Sequence, residues 1–210
     1  RGSHVNVLVS GGFGFIGSYL TPYLLNEGVT VGVIARRVPD SFREIAKRVD
    51  CCVHDLSDST DVRLARKYDC FIHLAGALHS TSSTSPDLMD RTLDVTRQCI
   101  DLCRTNGIAR FMHFSTFQVY GRDHGLIDES TPVAPRNDYA RAHVLAEDVV
   151  RQAHHEGVFE YVTLRPTNGY GFSEHVDVHR WSLVPSCFCR SAVEEQEIVL
   201  RTSGHQEKDL

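Results

Sequence analysis

A glycine-rich turn between an apolar run and a helical pattern constrains this chain most. The run Val5–Val9 leads into the segment Ser10–Gly17, which reads SGGFGFIG, and apolar residues then recur at helical spacing through Leu25. The glycines satisfy two spacings at once, Gly12-x-Gly14-x-x-Gly17 and Gly11-x-x-Gly14-x-x-Gly17. A strand, a tight turn and a helix form the context in which such glycines bind the pyrophosphate of a dinucleotide. The segment therefore predicts a dinucleotide site at the start of the chain.

The residues after the second apolar run bear on which dinucleotide is bound. Val29–Ala35 predicts a buried strand that ends at Arg36 and Arg37. A domain specific for NAD places an Asp or Glu near this position, to accept hydrogen bonds from the ribose 2′-hydroxyl. A guanidinium suits a 2′-phosphate instead, because it offers a planar, permanently charged fork of donors. The two arginines favour NADP over NAD; the alternative is a pair of solvated basic residues.

Four further short strands alternate with helices along the chain. The predicted strands are Cys51–Val53, Cys70–Leu74, Arg110–Phe114 and Phe159–Leu164, and the two long helices are Leu88–Asn106 and Asn137–Glu156. A short helix is also expected over Phe42–Val49. This alternation predicts an α/β fold with a doubly wound parallel sheet of the Rossmann type. Ligands of such sheets lie at the carboxyl ends of the strands.

Several candidate residues follow those strand ends. Asp55 comes just after the third strand, where it could meet an adenine amino group or cap a helix over Ser59–Arg66. Small residues at Ala75–Gly76 would let the backbone lie along a cofactor, and the segment Ser80–Pro86 reads as a loop beside the site. Thr116 follows the fifth strand, and Tyr139 and His143 lie one turn apart on one helix face.

Composition narrows the class of protein. The net charge of −5 argues against a nucleic-acid surface, and no apolar run reaches the length of a membrane span. Seven cysteines in apolar surroundings fit reduced thiols in a cytoplasm. The pairs Cys187-x-Cys189 and His175-x-x-x-His179 lack a second pair nearby, so no metal site is predicted.

Five motifs together resemble the extended short-chain dehydrogenase/reductases, the nucleotide-sugar epimerase/dehydratase family. They are the glycine turn, Ile72-His73-Leu74-Ala75, Ser115-Thr116-x-x-Val119-Tyr120-Gly121, the helix of Tyr139, and Leu164-Arg165-Pro166. The resemblance implies that Thr116 holds a substrate oxygen while Tyr139 takes or gives its proton. It implies a cofactor site formed by Gly11, Phe13, Gly14, Phe15, Ile16, Gly17, Arg36, Arg37, Asp55, Leu56, Leu74, Ala75, Gly76, Tyr139, His143 and Pro166.

The chain departs from the family pattern at the catalytic helix. The motif Tyr-x-x-x-Lys here ends in His143, and an asparagine that is frequent on the preceding long helix is replaced by Thr92. Lysine supplies a fixed positive charge, whereas histidine is largely neutral at cytoplasmic pH. The family's 4,6-dehydratases carry Asp-Glu after the catalytic threonine, but this chain has Phe117-Gln118.

These features predict an NADP(H)-dependent ketoreductase or dehydrogenase acting on a nucleotide-linked sugar or a similar polyol. The alternatives are an epimerase that keeps NAD bound, and a non-catalytic NADP-binding protein that lost the lysine. The family also implies a homodimer, in which the two long helices of each subunit form a four-helix bundle.

The expected domain division is a dinucleotide-binding domain over residues 5–171 and the start of a small substrate domain over 172–210. The family is longer than this chain, so the rest of that C-terminal substrate domain is expected to be missing. Residues 1–4 are interpreted as the remnant of a purification tag, and no signal peptide is expected. The expected location is the cytoplasm.

Overall fold

The computed structural model describes residues 5–58, 62–76, 86–122, 124–173, 175, 178, 181, 183–200 and 203. Within these residues, six strands form one parallel sheet in the order β3-β2-β1-β4-β5-β6. They are β1 (Asn6–Ser10), β2 (Thr30–Ala35), β3 (Asp50–Val53), β4 (Cys70–His73), β5 (Arg110–Phe114) and β6 (Glu160–Leu164). The order reverses direction between β1 and β4, which is the point where doubly wound sheets bind their ligands. The predicted fold class is confirmed.

Helices cover both faces of this sheet. They are α1 (Phe15–Asn26), α2 (Arg43–Ala46), α3 (Pro86–Asn106), α4 (Asp138–His155) and α5 (Val184–Glu194), with 3₁₀ turns at Asp40–Phe42 and Phe117–Tyr120. One core packs α1 and the region of Phe42 against Val7, Val9 and Val33. The other packs α3 and α4 against Leu8, Phe71 and Phe111, so Cys99, Ile100 and Cys103 of α3 lie on the sheet.

Two predicted helices are shorter than expected or absent. The helix over Phe42–Val49 is a 3₁₀ turn followed by the four residues of α2, because Pro39 and the return into β3 leave room for little more than one turn. The helix over Ser59–Arg66 was wrong over residues 62–66, which are not helical; residues 59–61 lie outside the description. The loop predicted at Ser80–Pro86 also lies outside it, except for Pro86, which begins α3.

In the described part of the chain, no helix is both long enough and apolar enough to cross a membrane. All seven cysteines carry free thiols, but Cys51, Cys187 and Cys189 are exposed rather than held in apolar surroundings. Of the four residues in the two pairs considered as metal ligands, His179 is not described. Among the described residues, no group of three or more His, Cys, Asp or Glu side chains could hold a metal ion.

Candidate active site

The glycine turn brings three backbone segments into contact. Gly11 has a φ of +72°, and a Cβ placed there would lie 3.0 Å from the amide nitrogen of Ala75. At Gly17 a Cβ would lie 2.5 Å from the carbonyl oxygens of Gly11 and Gly12, so a side chain would push α1 away from the turn. Gly14 precedes the first helical residue and donates its N–H to Gly11 O at 2.8 Å. Gly11 and Gly17 therefore require glycine for backbone reasons alone.

The start of α1 is suited to an anion. No side chain among the described residues caps this helix, so backbone N–H groups of its first turn have no side-chain acceptor. Such a terminus, beside a glycine turn, is the usual site for a pyrophosphate. Phe13 is buried against Phe42, with ring centroids 5.2 Å apart, and this contact anchors the turn to the hydrophobic core. Phe15 and Ile16 begin the helix, and Ile16 is exposed.

The segments after β2, β3 and β4 line the same edge of the sheet. Arg36 and Arg37 are exposed immediately after β2, and Leu74–Gly76 follow β4, where Ala75 N donates to Ser10 Oγ at 3.3 Å. Asp55 accepts hydrogen bonds from the hydroxyl (2.7 Å) and the amide (3.0 Å) of Ser57. These bonds lower the pKa of Asp55, with smaller contributions from the charges of Arg36 and Arg91. Asp55 therefore stabilises a local turn rather than a helix, and the next residue, Leu56, is buried.

The three predicted catalytic residues lie on two elements at this edge. Thr116 follows β5, is buried, and accepts a hydrogen bond from Gln118 N at 3.3 Å. Tyr139 is in the first turn of α4, where the side chain of Asn137 caps the helix by accepting from Ala140 N at 2.7 Å. His143 is buried one turn later, and its ring meets that of Tyr139 edge to face, with centroids 4.5 Å apart.

The segments after β5 and β6 are joined by backbone hydrogen bonds. Phe117 N donates to the carbonyl of Pro166 at 2.9 Å, and Ser115 N donates to Leu164 O at 2.7 Å. Pro166 itself is exposed at the sheet edge. The predicted site residues that follow the strands thus lie at the carboxyl ends of the sheet, and Tyr139 and His143 lie in the first two turns of α4.

An ion pair that the sequence did not predict ties three of these elements together. Arg165, just after β6, donates to both carboxylate oxygens of Glu147 on α4, at 3.0 and 2.6 Å. It also donates to Tyr120 Oη at 3.0 Å and lies over that ring at 4.9 Å. The side chains of Arg165 and Glu147 are only 23% and 11% exposed. The hydrogen bonds that Arg165 donates to Glu147 raise the pKa of Arg165, so its guanidinium stays charged at neutral pH.

A row of polar side chains crosses the sheet beneath α3 and α4. Ser10, His73, His113 and Thr163 are register partners on β1, β4, β5 and β6. Both histidines are buried, and their rings stack with centroids 5.3 Å apart. Burial lowers the pKa of His113 to about 3, and repulsion from His143 adds to this effect. Burial also lowers the pKa of His73 well below its usual range, so both imidazoles are neutral at pH 7.

The sequence of this chain was compared with protein-family models and with curated proteins, and both comparisons gave matches. The family model for the NAD dependent epimerase/dehydratase family matches residues 7–210. A dTDP-glucose 4,6-dehydratase of Streptomyces niveus is 25% identical over 97% of this chain and 64% of its own length. A putative UDP-glucose 4-epimerase of Methanocaldococcus jannaschii is 25% identical over 97% of this chain and 68% of its own length.

A solved structure gives a similar result. UDP-glucuronic acid 4-epimerase from Bacillus cereus, in complex with UDP-glucuronic acid and NAD, superimposes with a TM-score of 0.78 at 25% identity. The alignment covers 91% of this chain and 64% of that one. The chain therefore spans less than two thirds of this structure and of the S. niveus dehydratase.

Proposed function

Since the chain belongs to the NAD-dependent epimerase/dehydratase family, we propose that it binds a nicotinamide dinucleotide and transfers hydride to or from a nucleotide-linked sugar. One observation carries this proposal. The glycine turn, Thr116 and the pair Tyr139–His143 lie along the same edge of the sheet, at the ends of β1, β5 and the start of α4. A bound dinucleotide would run along that edge, from the turn toward the tyrosine.

The residues present fit such a cofactor. The first turn of α1 offers N–H groups to the pyrophosphate. Glycine at positions 11 and 17 lets the turn lie close against Ala75 and against the start of α1. When bound, the nicotinamide supplies the group that gives or accepts hydride. The hydroxyl of Thr116 would hold the substrate oxygen, and Tyr139 would take or give the proton of that oxygen. His143 would hold the ribose of the nicotinamide and influence the proton affinity of Tyr139.

We propose net reduction of a keto group as the reaction. Phe117 and Gln118 lack the acidic side chains that elimination chemistry needs, which argues against a dehydratase. In reduction Tyr139 acts as an acid, for which a high pKa is less of a handicap than it is for a base. An epimerase with tightly held NAD is the second candidate. Oxidation of NADPH with a panel of keto-sugar nucleotides tests the proposal; binding of NADPH with no turnover on the panel would favour a non-catalytic binder.

We propose NADP as the cofactor, with Arg36 as the selecting residue. Replacing Arg36 with Asp is expected to reverse the order of affinities, because the guanidinium is lost and the carboxylate would accept from a 2′-hydroxyl. Loss of one charge-assisted hydrogen bond costs roughly 1.5–3 kcal/mol, about ten- to a hundredfold in affinity for NADP. Calorimetric titration of both cofactors measures this.

Two further variants make that experiment specific. Arg37→Asp separates the contributions of the two neighbouring arginines, and Arg48→Asp, an exposed arginine beyond α2, controls for the change in net charge. The solved epimerase from B. cereus holds NAD, so this chain would differ from it. Equal affinities for NAD and NADP in the parent protein would contradict a selecting role for Arg36.

We also propose a homodimer formed through α3 and α4. These helices pack against each other on one face of the sheet and are bridged by the ion pair Arg104–Glu156 at 3.0 Å. Val150 is fully buried against the sheet, whereas Leu145 on α4 is 41% exposed and could contact a partner subunit. Sedimentation at micromolar concentration is expected to give a dimer that Leu145→Arg dissociates; a monomeric parent protein would refute the proposed dimer.

The cytoplasmic location remains a prediction.

A further inference from the structure

His113 on β5 is a buried histidine with no role in the proposed reaction as described above. The residue is 2% exposed, and neither of its ring nitrogens has a hydrogen-bond partner among the described residues. Its neighbour His73 is different: one nitrogen lies 2.8 Å from Ser10 Oγ and 3.4 Å from Cys99 Sγ, and the other lies 3.3 Å from Thr96 Oγ1. Buried polar atoms normally have partners, so an imidazole with both nitrogens unused calls for an explanation.

The helix register places His143 close above His113. Val150 and Phe111 belong to the same core, so this part of α4 lies over this part of β5. His143 is two helical turns before Val150, which is about 10 Å toward the carboxyl ends of the strands. Along a strand that distance is about three residues, so His143 lies over the stretch 113–115. His113 and Ser115 share the sheet face of Phe111, which is the face that α4 covers.

The surroundings of these two imidazoles contain few charges. His73 stacks on His113 from β4, and burial raises the pKa of the Cys99 thiol on α3, so that both groups stay neutral at pH 7. On α4 the neighbours are Tyr139 and Glu147, and the charge of Glu147 is already paired with Arg165. Thr163 on β6 and Ser115 on β5 contribute hydroxyls only. A proton on His143 therefore has to be stabilised mainly by dipoles, and a neutral imidazole offers one acceptor nitrogen.

We propose that His113 is a positioning residue for the reaction: its acceptor nitrogen stabilises protonated His143, and His143 in turn stabilises the deprotonated hydroxyl of Tyr139. The inference rests on the proposed function for its catalytic meaning. Without a lysine, the positive charge beside the tyrosine has to be borne by an imidazole that is itself buried. His113 makes this charge less costly to form, acting through His143 without contacting the substrate.

Histidine NMR tests the first link without any substrate. The imidazole resonances of the ¹⁵N-labelled protein are followed against pH, and the signal of His143 is identified by its loss in His143→Gln. In His113→Leu the titration midpoint of His143 is expected to fall by about one pH unit, a tenfold loss of proton affinity. His113→Gln retains an acceptor oxygen and should recover most of that loss. His155→Gln, an exposed histidine at the far end of α4, should leave the midpoint unchanged.

The outcomes separate this inference from the proposed function. A His143 midpoint that is the same in the parent and in folded His113→Leu overturns the inference, whatever the protein catalyses. If circular dichroism shows that His113→Leu is unfolded, His113→Phe, which keeps a ring stacked on His73, takes its place in the comparison. Absence of turnover with every keto-sugar nucleotide would overturn the proposed function while leaving the shift in the midpoint intact.

Discussion

The variant Tyr139→Phe is expected to lose turnover by about 10²–10⁴-fold, the usual contribution of a positioned acid–base group. Phenylalanine keeps the ring, and therefore the edge-to-face contact with His143 at 4.5 Å, but it has no proton to give to the substrate oxygen. Cofactor affinity should change much less than turnover, because the site at the glycine turn is untouched. Steady-state rates with NADPH, together with calorimetric titration of the cofactor, measure the two effects separately.

Tyr23→Phe is the matched control, because Tyr23 is 61% exposed on the outer side of α1. It should retain the rate of the parent protein. A Tyr139→Phe variant that keeps the parent rate would remove Tyr139 from the mechanism. Loss of cofactor binding in parallel with turnover would show that the residue holds the cofactor rather than moving a proton.

Breaking the ion pair between Glu147 and Arg165 is expected to cause the largest loss of stability. In Glu147→Gln the guanidinium of Arg165 stays mostly buried and loses its counter-charge, which costs on the order of 3 kcal/mol. For a chain of this size that corresponds to a fall in melting temperature of roughly 6–12 °C. Activity should fall as well, because the pair joins α4, the end of β6 and, through Tyr120, the 3₁₀ turn after Thr116.

The adjacent residue provides the comparison. Asp148 pairs with Arg151 at 2.6 Å, but both side chains are about half exposed, so Asp148→Asn should cost less than about 1 kcal/mol. Thermal unfolding of both variants distinguishes the two cases. Equal and small shifts would mean that the buried pair contributes no more than a surface one. Replacing both partners, as Glu147→Leu with Arg165→Met, should recover much of the loss, since no buried charge then lacks a partner.

The fold was predictable because its signals are local. The central strands β1, β2 and β4 are buried on both faces and read as short apolar runs, as in Val29–Ala35, whereas β3 and β6 are partly exposed. Each long helix repeats its apolar residues at helical spacing. The failures were local too. At Phe42–Val49 the spacing of apolar residues indicated a helix, but the short distance to β3 allows only four α-helical residues.

The candidate site was predictable only where a motif spans consecutive residues. The glycine turn and Thr116 could be placed because each follows a strand directly. The row Ser10–His73–His113–Thr163 depends on the register of four strands, which no stretch of sequence contains. Glu147 gave a partial signal, since it lies four residues after His143 on the same helix face. Its partner Arg165 belongs to the motif Leu164-Arg165-Pro166, but only the structure brings the two side chains within 2.6 Å.

We propose that this site transfers hydride although a histidine stands in place of the catalytic lysine. The decisive experiment follows the absorbance of the nicotinamide with a keto-sugar nucleotide, in both directions, in the parent protein and in His143→Lys. We expect the parent protein to reduce the keto group faster than it oxidises the product, and the reduction rate to be unchanged or increased in His143→Lys. A parent protein that binds NADPH but never consumes it, while His143→Lys does, would contradict the claim and leave a cofactor-binding protein that has lost catalysis.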